Sequence, residues 1–277
     1  MIRYSIIVPW HSKDALLERA LSSVPSREDV EVIPIEDVER RGAGWARNVG
    51  LDRASGKWVL FMDSDDFFED GFLDLLDRHF DDEADVVYFG VRAVVSETLE
   101  PSRRVAQKIG RLHKYASDPA KIGFYCRYCF AEPWSKMVRR SMVVDNNIRF
   151  DETSCANDFY FSVQCGVHAR KVAYDPSVLY VVTERIGSVS RNYFDTPQRQ
   201  LDRLWVYWRV QLLLDKNRIP LYPFYGLWMM CRKKGAEEYR LAREFCSQNG
   251  IGPLRIGLGC LRRIVRKHLK WGVPNCD

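Results

Sequence analysis

Gly56-Lys57-Trp58-Val59-Leu60-Phe61-Met62-Asp63-Ser64-Asp65-Asp66 is the stretch whose reading decides the fold of this chain. The apolar run 58–62 carries no charge and stops abruptly at Asp63, Asp65 and Asp66. A short continuous apolar run of this kind reads as a strand buried on both faces. Upstream, residues 2–8 form a similar run ending in Pro9, and residues 30–35 alternate before Glu36-Asp37. Helical spacing fills the gaps at residues 14–23 and 44–54, with Gly56 in the C-cap role. Downstream, residues 72–80 read as an amphipathic helix and residues 85–91 as a fourth strand. Strands and helices alternating at this interval imply a parallel sheet covered by helices. Ligands of such sheets sit beyond the carboxyl ends of the strands. Pro9-Trp10-His11, Glu36-Asp37 and Asp63-Ser64-Asp65 should therefore converge on one crevice.

The remaining chain is less regular. Residues 96–123 are polar and mixed and read as a loop-rich crossover. Residues 124–182 return to mixed α/β character, with strands expected near 135–138 and 172–175. From about residue 196 the texture changes: residues 201–214 form a long aromatic helix, and Pro220 and Pro223 break the chain after it. Further helix is expected at 227–230 and 237–245, and no internal repeat or low-complexity tract is visible.

With 277 residues, 46% of them hydrophobic and 29% charged, the chain can bury a sizeable core without disulfides. Its eight cysteines are scattered, and Cys126-x-x-Cys129 is the one close pair. A structural zinc wants a second pair or two histidines at defined spacing, so two ordinary thiols are the better reading. The first residues lack the apolar core and cleavage site of a secretory signal, which reads as a cytoplasmic chain with reduced thiols. No apolar run approaches the ~20 residues of a membrane span.

Asp63-x-Asp65 directly after a buried strand places two carboxylates where both can face one space. Hard oxygen donors suit Mg²⁺ or Mn²⁺, which in turn would hold a diphosphate and neutralise the charge building on a departing nucleotide. Standing alone, such a cluster is a weak signal and reads first as a solvated acidic turn whose aspartate caps the next helix.

It does not stand alone. Ser5-Ile6-Ile7-Val8-Pro9, Gly44-Trp45-Ala46-Arg47-Asn48-Val49-Gly50 and the stretch 56–66 follow one another at compact spacing. Pro133-Trp134-Ser135-Lys136-Met137, Ile148-Arg149-Phe150-Asp151 and Asn157-Asp158-Phe159-Tyr160-Phe161 continue the series. In this order the chain resembles the family 2 glycosyltransferases over about residues 2–190. The resemblance implies the GT-A fold, an α/β arrangement with a Rossmann-like mixed sheet flanked by helices. It implies a catalytic domain over 1–195, with a nucleotide-binding half at about 1–95 and an acceptor half at about 96–195. Residues 196–277 would form a C-terminal helical appendage.

The resemblance also implies roles. Pro9, Trp10, Ser64 and the Arg47-Asn48 segment would line the nucleotide-sugar pocket. Asp37 matches the family's base-binding acid, although Glu36-Asp37-Val38-Glu39 replaces the usual Asp-Asp-Gly-Ser. Asp63 would lie near the ribose and metal, and Asp65 would ligate the metal. Asp158 matches the family's general base; its usual glutamate neighbour is Asn157 here. Trp134 and Lys136 fall in the acceptor-side segment, where an aromatic face can pack on a sugar ring, though Trp134 reads equally as core. Arg185 is a candidate second cation for the diphosphate. One base with in-line displacement gives inversion at the anomeric carbon. The expected function is transfer of a sugar, UDP-linked by the resemblance, to a hydroxyl of a saccharide or lipid-linked saccharide in surface polysaccharide synthesis.

The formal charge of +5 resides in residues 251–277, where Arg255, Arg262, Arg263, Arg266, Lys267 and Lys270 face Asp277 alone. Leu254, Leu258, Leu261, Val265 and then His268 or Leu269 recur at three- and four-residue spacing. A basic amphipathic helix of this kind suits an anionic membrane surface, which would give peripheral attachment to the inner membrane face. The alternative is a helix docked on its own protein with a solvated charged face. Nucleic acid is not an expected partner, because no recognition motif accompanies the basic residues.

Three other functions compete. A nucleotidyltransferase would need a Gly-rich phosphate loop after the first strand, and Pro9-Trp10-His11-Ser12 is not one. A phospho-acceptor signalling domain would leave the second half unused. A catalytically silent sugar-binding protein is favoured by loss of Asp65 or Asp158, and both are present.

Overall fold

The computed structural model describes residues 1–185 and 196–268. The first half alternates as the apolar runs require: β1 (Tyr4–Trp10), α1 (Ala15–Ser22), β2 (Val30–Glu36), α2 (Ala43–Arg53) and β3 (Trp58–Phe61). Asp14 starts α1 by accepting from the amides of Leu16 and Leu17, each at 3.1 Å, which satisfies donors the first turn leaves unpaired. β1 pairs in parallel with β2 on one side and β3 on the other, with Trp10 opposite Glu36 and Ile7 opposite Phe61. The three strand ends therefore open at the same edge, as the sequence predicts.

The next elements are β4 (Phe67–Phe68), α3 (Phe72–Arg78), β5 (Val86–Val95), α4 (Ala106–Tyr115), α5 (Pro119–Cys129), β6 (Lys136–Arg139), α6 (Arg140–Asp145), α7 (Asn157–His168) and β7 (Val172–Glu184). The seven strands form one sheet in the order β2-β1-β3-β6-β5-β7-β4. The sheet is mixed, not the purely parallel one that alternation implies: β6 runs antiparallel to both β3 and β5, and β4 antiparallel to β7.

Three further expectations need correction. The crossover at 96–123 contains α4 and part of α5; the signal overlooked is Asp118-Pro119, where the Asp118 carboxylate accepts from the Lys121 amide at 3.1 Å and Pro119 opens the first turn. β7 runs far beyond the 172–175 expected, because the register shifts around Phe89 and Gly90 absorb Pro176 and Ser177 as a bulge. Gly90 is what permits this: a Cβ there would lie 2.3 Å from the Pro176 carbonyl oxygen. Gly56 does not cap α2, whose C-cap is Ala54; it lies against β1, where a Cβ would meet Ser5 Oγ at 2.7 Å.

One large apolar core covers the sheet and its helices. From residue 197 onward come α8 (Pro197–Lys216), α9 (Pro223–Lys234), α10 (Ala236–Gln248) and α11 (Pro253–His268). These helices enclose a core of their own around Trp208, Phe224, Leu227, Trp228 and Phe245. A further face of α8, carrying Val206, Val210 and Leu214, packs on α5 and α7 through Phe124, Tyr128 and Phe159. The expected domain boundary near 195 lies outside the described residues, as do Leu269, Lys270 and Asp277. Cys126 is a free buried thiol, pushed up to about 12 by burial, whereas Cys129 is disulfide-bonded, against the expectation of reduced thiols throughout. Among the described residues, no helix is long and apolar enough to cross a membrane.

Candidate active site

The acidic loop after β3 is held from beneath by β7. The Asp63 amide donates to the Tyr180 hydroxyl at 2.9 Å, and the Thr183 amide donates to the Asp66 carboxylate at 2.7 Å. The Asp65 carbonyl accepts from Thr183 Oγ1 at 2.8 Å and from Arg19 at 3.1 Å. Asp66 is thus a buried structural acid, and the half-buried Asp63 and Asp65 side chains remain for chemistry. Burial and the neighbouring carboxylates push Asp66 well above the usual carboxylate range. Asp65 is raised too, by burial first and by Asp63 second, with Arg185 opposing. Arg185 Nη2 lies 3.4 Å from Asp65 Oδ2, so this arginine stands at the acidic cluster as the sequence suggests.

Helix α2 brings the second half of the site to the first. Arg47 is buried; its Nη2 donates to Asp63 Oδ1 at 2.6 Å and its Nη1 to Asn157 Oδ1 at 2.9 Å. The bridge Asp63–Arg47–Asn157 spans from the strand end to the first turn of α7. Gly44 makes this approach feasible, since a Cβ there would fall 2.0 Å from the Asp151 carbonyl oxygen. Asp158 follows Asn157 in that turn. It is not the helix cap, a position taken by Ala156 at φ 55°. Its carboxyl is raised to about 6, by burial above all, with Glu132 and Asp63 adding and Arg47 opposing. Asp158 therefore sits within the field of Asp63 and Arg47, on the same side as the acidic loop.

Other candidates are placed differently. Asn48 clamps main chain: its side-chain carbonyl accepts from the Phe150 N–H at 2.9 Å and its amino group donates to the Phe150 carbonyl at 3.1 Å, which fills the groups a nucleotide would need. Trp134, 6% exposed, stacks on Tyr180 at 5.4 Å with an interplanar angle of 5°. It belongs to the core, supports the tyrosine that holds Asp63, and offers no face to a sugar. Lys136 is likewise interior; its ammonium donates to Ser162 Oγ at 3.1 Å and to the Phe130 carbonyl at 3.2 Å, and burial depresses it to about 8. Pro9 is buried and Trp10 half-buried at the end of β1, and Ser64 is half-buried within the acidic loop. Asp37 is buried and accepts from the amides of Arg41 at 2.8 Å and Gly42 at 2.7 Å, so it anchors the loop leading into α2.

Sequence reasoning missed Arg19, Tyr180, Thr183 and Glu132. The first three come from distant segments and are ordinary core or surface types. Glu132 directly precedes Pro133 at the start of the acceptor-side segment and forms an ion pair with Lys108.

Among the described residues no three His, Cys, Asp or Glu side chains gather as a metal cage. Asp63 and Asp65 nevertheless fit a divalent ion. They are hard oxygen donors, and a cation would offset the burial and, after it, the neighbouring Asp63 charge that raise Asp65. Two protein carboxylates also match Mg²⁺-type sites, in which phosphate and water complete the shell.

Comparison with known proteins bears on this geometry. The family model described as glycosyl transferase family 2 matches residues 6–133. A putative glycosyltransferase, EpsH of Bacillus subtilis, is 28% identical over 163 residues, covering 56% of this chain and 45% of the relative. The cholesterol galactosyltransferase of Borreliella burgdorferi is 28% identical over 214 residues, covering 69% of this chain and 58% of the relative. The chain thus spans about half the length of these curated relatives. The crystal structure of Staphylococcus aureus TarS 1-349 in complex with UDP-GlcNAc superposes with a TM-score of 0.65 at 18% identity, covering 98% of this chain and 93% of that one, which is a likeness of fold. Residues 6–133, just under half of the chain, thus match the family 2 glycosyltransferase model, and the chain as a whole has the GT-A fold.

Proposed function

We propose that this protein transfers a sugar, with inversion, from a nucleotide diphosphate donor to an acceptor hydroxyl. The observation that carries the reading is the Arg47 bridge, which ties the paired-carboxylate loop to the helix turn that carries a raised carboxyl, Asp158. Asp158 takes the proton of the attacking hydroxyl; a base near pKa 6 is ionised at neutral pH and still basic enough to accept it. Asp63 and Asp65 would hold a Mn²⁺ or Mg²⁺ ion, which supplies Lewis-acid stabilisation of the diphosphate leaving group. Arg185 adds a second positive charge beside Asp65. The base and the leaving-group side are separate groups, which is the requirement for single displacement.

UDP-sugar is the favoured donor, on the strength of the UDP-GlcNAc bound by the TarS structure of the same fold. The favoured acceptor is a hydroxyl of a saccharide or lipid-linked saccharide in surface polysaccharide synthesis. Incubation with UDP-, GDP- and TDP-sugars plus Mn²⁺ tests the donor class. Release of UDP from UDP-sugars, lost on chelation with EDTA, is expected. No nucleotide diphosphate from any donor, with thermal stabilisation by ATP and Mg²⁺ but not by UDP and Mn²⁺, would overturn the reading in favour of a nucleotidyltransferase.

A further inference from the structure

Helix α11 packs on α9 through its small residues and leaves its apolar stripe outside. Facing α9, a Cβ at Gly259 would lie 2.2 Å from the Tyr225 ring, and one at Gly226 would lie 2.7 Å from Arg263 Nε. That close approach fixes which side of the helix is inward. On the far side stand Leu254, Leu258, Leu261 and Val265, exposed by 77%, 47%, 55% and 43%. At about 100° per residue they fall within a single stripe roughly 60° wide, and Arg255, Arg262 and Arg266 lie along one edge of it. The helix is therefore docked on its own protein with Arg255 and Arg262 solvated, and it also turns an apolar stripe outward.

Beside that edge a cavity of about 480 Å³ opens between the end of α8, the start of α9 and α11. Arg218, Arg255 and Arg262 line it with Tyr222, and Leu254 and Leu258 belong to the same wall. Its one acid among the described residues is Asp215, 3.6 Å from Arg255 Nη2, so three guanidinium groups meet a single carboxylate. A basic recess continuous with an exposed leucine stripe opposes the charge of an anionic lipid headgroup and matches the apolar boundary beneath it. Guanidinium groups pair with phosphate, and leucines enter the headgroup boundary.

We propose that α11 and this arginine-lined recess seat the protein on a bilayer containing anionic phospholipid. Lipid phosphate is held by Arg218, Arg255 and Arg262, and the Leu254–Leu258–Leu261–Val265 stripe lies in the interface. The proposal does not depend on the transferase reading, because vesicle binding and donor hydrolysis are measured separately.

The test is flotation of the full chain with vesicles of phosphatidylcholine alone and with vesicles in which phosphatidylglycerol replaces about one third of it. Binding is expected to the mixed vesicles only, and to weaken as salt is added. Each exposed arginine lost should lower partitioning about fivefold, so R218E with R262E should lower it by about twenty-five-fold or more. Leu258→Asp, on the exposed stripe, should abolish flotation. Melting temperature and hydrolysis of soluble donor should stay unchanged in these variants. Equal binding to neutral and anionic vesicles, or undiminished flotation of either variant, would overturn the proposal. So would absence of vesicle binding with a concentration-dependent dimer that Leu258→Asp dissolves, which would assign the stripe to a second copy of this chain.

Discussion

At the residue scale the site is a set of carboxyl groups whose surroundings set them apart. Asp66 is buried and held by the Thr183 amide, Asp65 faces Arg185, and Asp158 is raised to about 6. Transfer should therefore fall as pH drops through about 6, following protonation of Asp158; a kcat profile from pH 5 to 8 checks this. The same raised carboxyl opposes folding when ionised. Its folded-state affinity for protons exceeds the unfolded one, so the stability it contributes is present at low pH and is lost as pH rises through about 6. Asp158→Asn should thus raise the melting temperature at pH 8, and the gain should vanish near pH 4. Equal gain at both values would show that the carboxyl is not raised. Trp134, stacked on Tyr180, sits under the Asp63 amide without meeting solvent. Trp134→Phe should leave the acceptor KM within about twofold of the parent, while Trp134→Ala should cost about 3–5 kcal/mol in urea unfolding.

At the element scale, the close approach of α2 to the chain before α7 decides whether the two halves of the site meet. Gly44→Ala would place a methyl 2.0 Å from the Asp151 carbonyl oxygen. It should destabilise by about 1–3 kcal/mol and lower kcat by loosening the Asp63–Arg47–Asn157 bridge; denaturant unfolding and steady-state rates measure the two effects. Much of this scale is legible in the sequence. Apolar runs ending at Trp10, Asp37 and Asp63 announce three parallel strands whose ends share an edge, and local pattern suffices for that. The hidden part depends on distant pairing: β6 inserts antiparallel between β3 and β5, and Tyr180 and Thr183 reach the acidic loop from more than a hundred residues downstream. Asn48 and Lys136 lie in the right motifs but serve Phe150 main chain and the interior, because motif membership does not say which way a side chain points.

At the scale of the whole molecule, the C-terminal helices are tied to the sheet-bearing part of the chain beside the proposed base. Arg209 on α8 pairs with the buried Asp151, whose amide in turn donates to the Asn157 carbonyl at 3.2 Å. Removing the arginine leaves an unpaired buried carboxylate, so Arg209→Met should cost about 3–5 kcal/mol in denaturant unfolding and depress transfer together with stability. A change in stability alone would show that α8 does not steady the site.

The central claim is that Asp158 acts as base in the cleft that Asp63 and Asp65 open. The most direct measurement compares kcat for transfer and the Kd for UDP with Mn²⁺ in the parent chain and in Asp158→Asn. Loss of about a hundredfold to ten-thousandfold in kcat, with Kd unchanged, is the expected result. A kcat within twofold of the parent, or loss of nucleotide binding in parallel with rate, would contradict it.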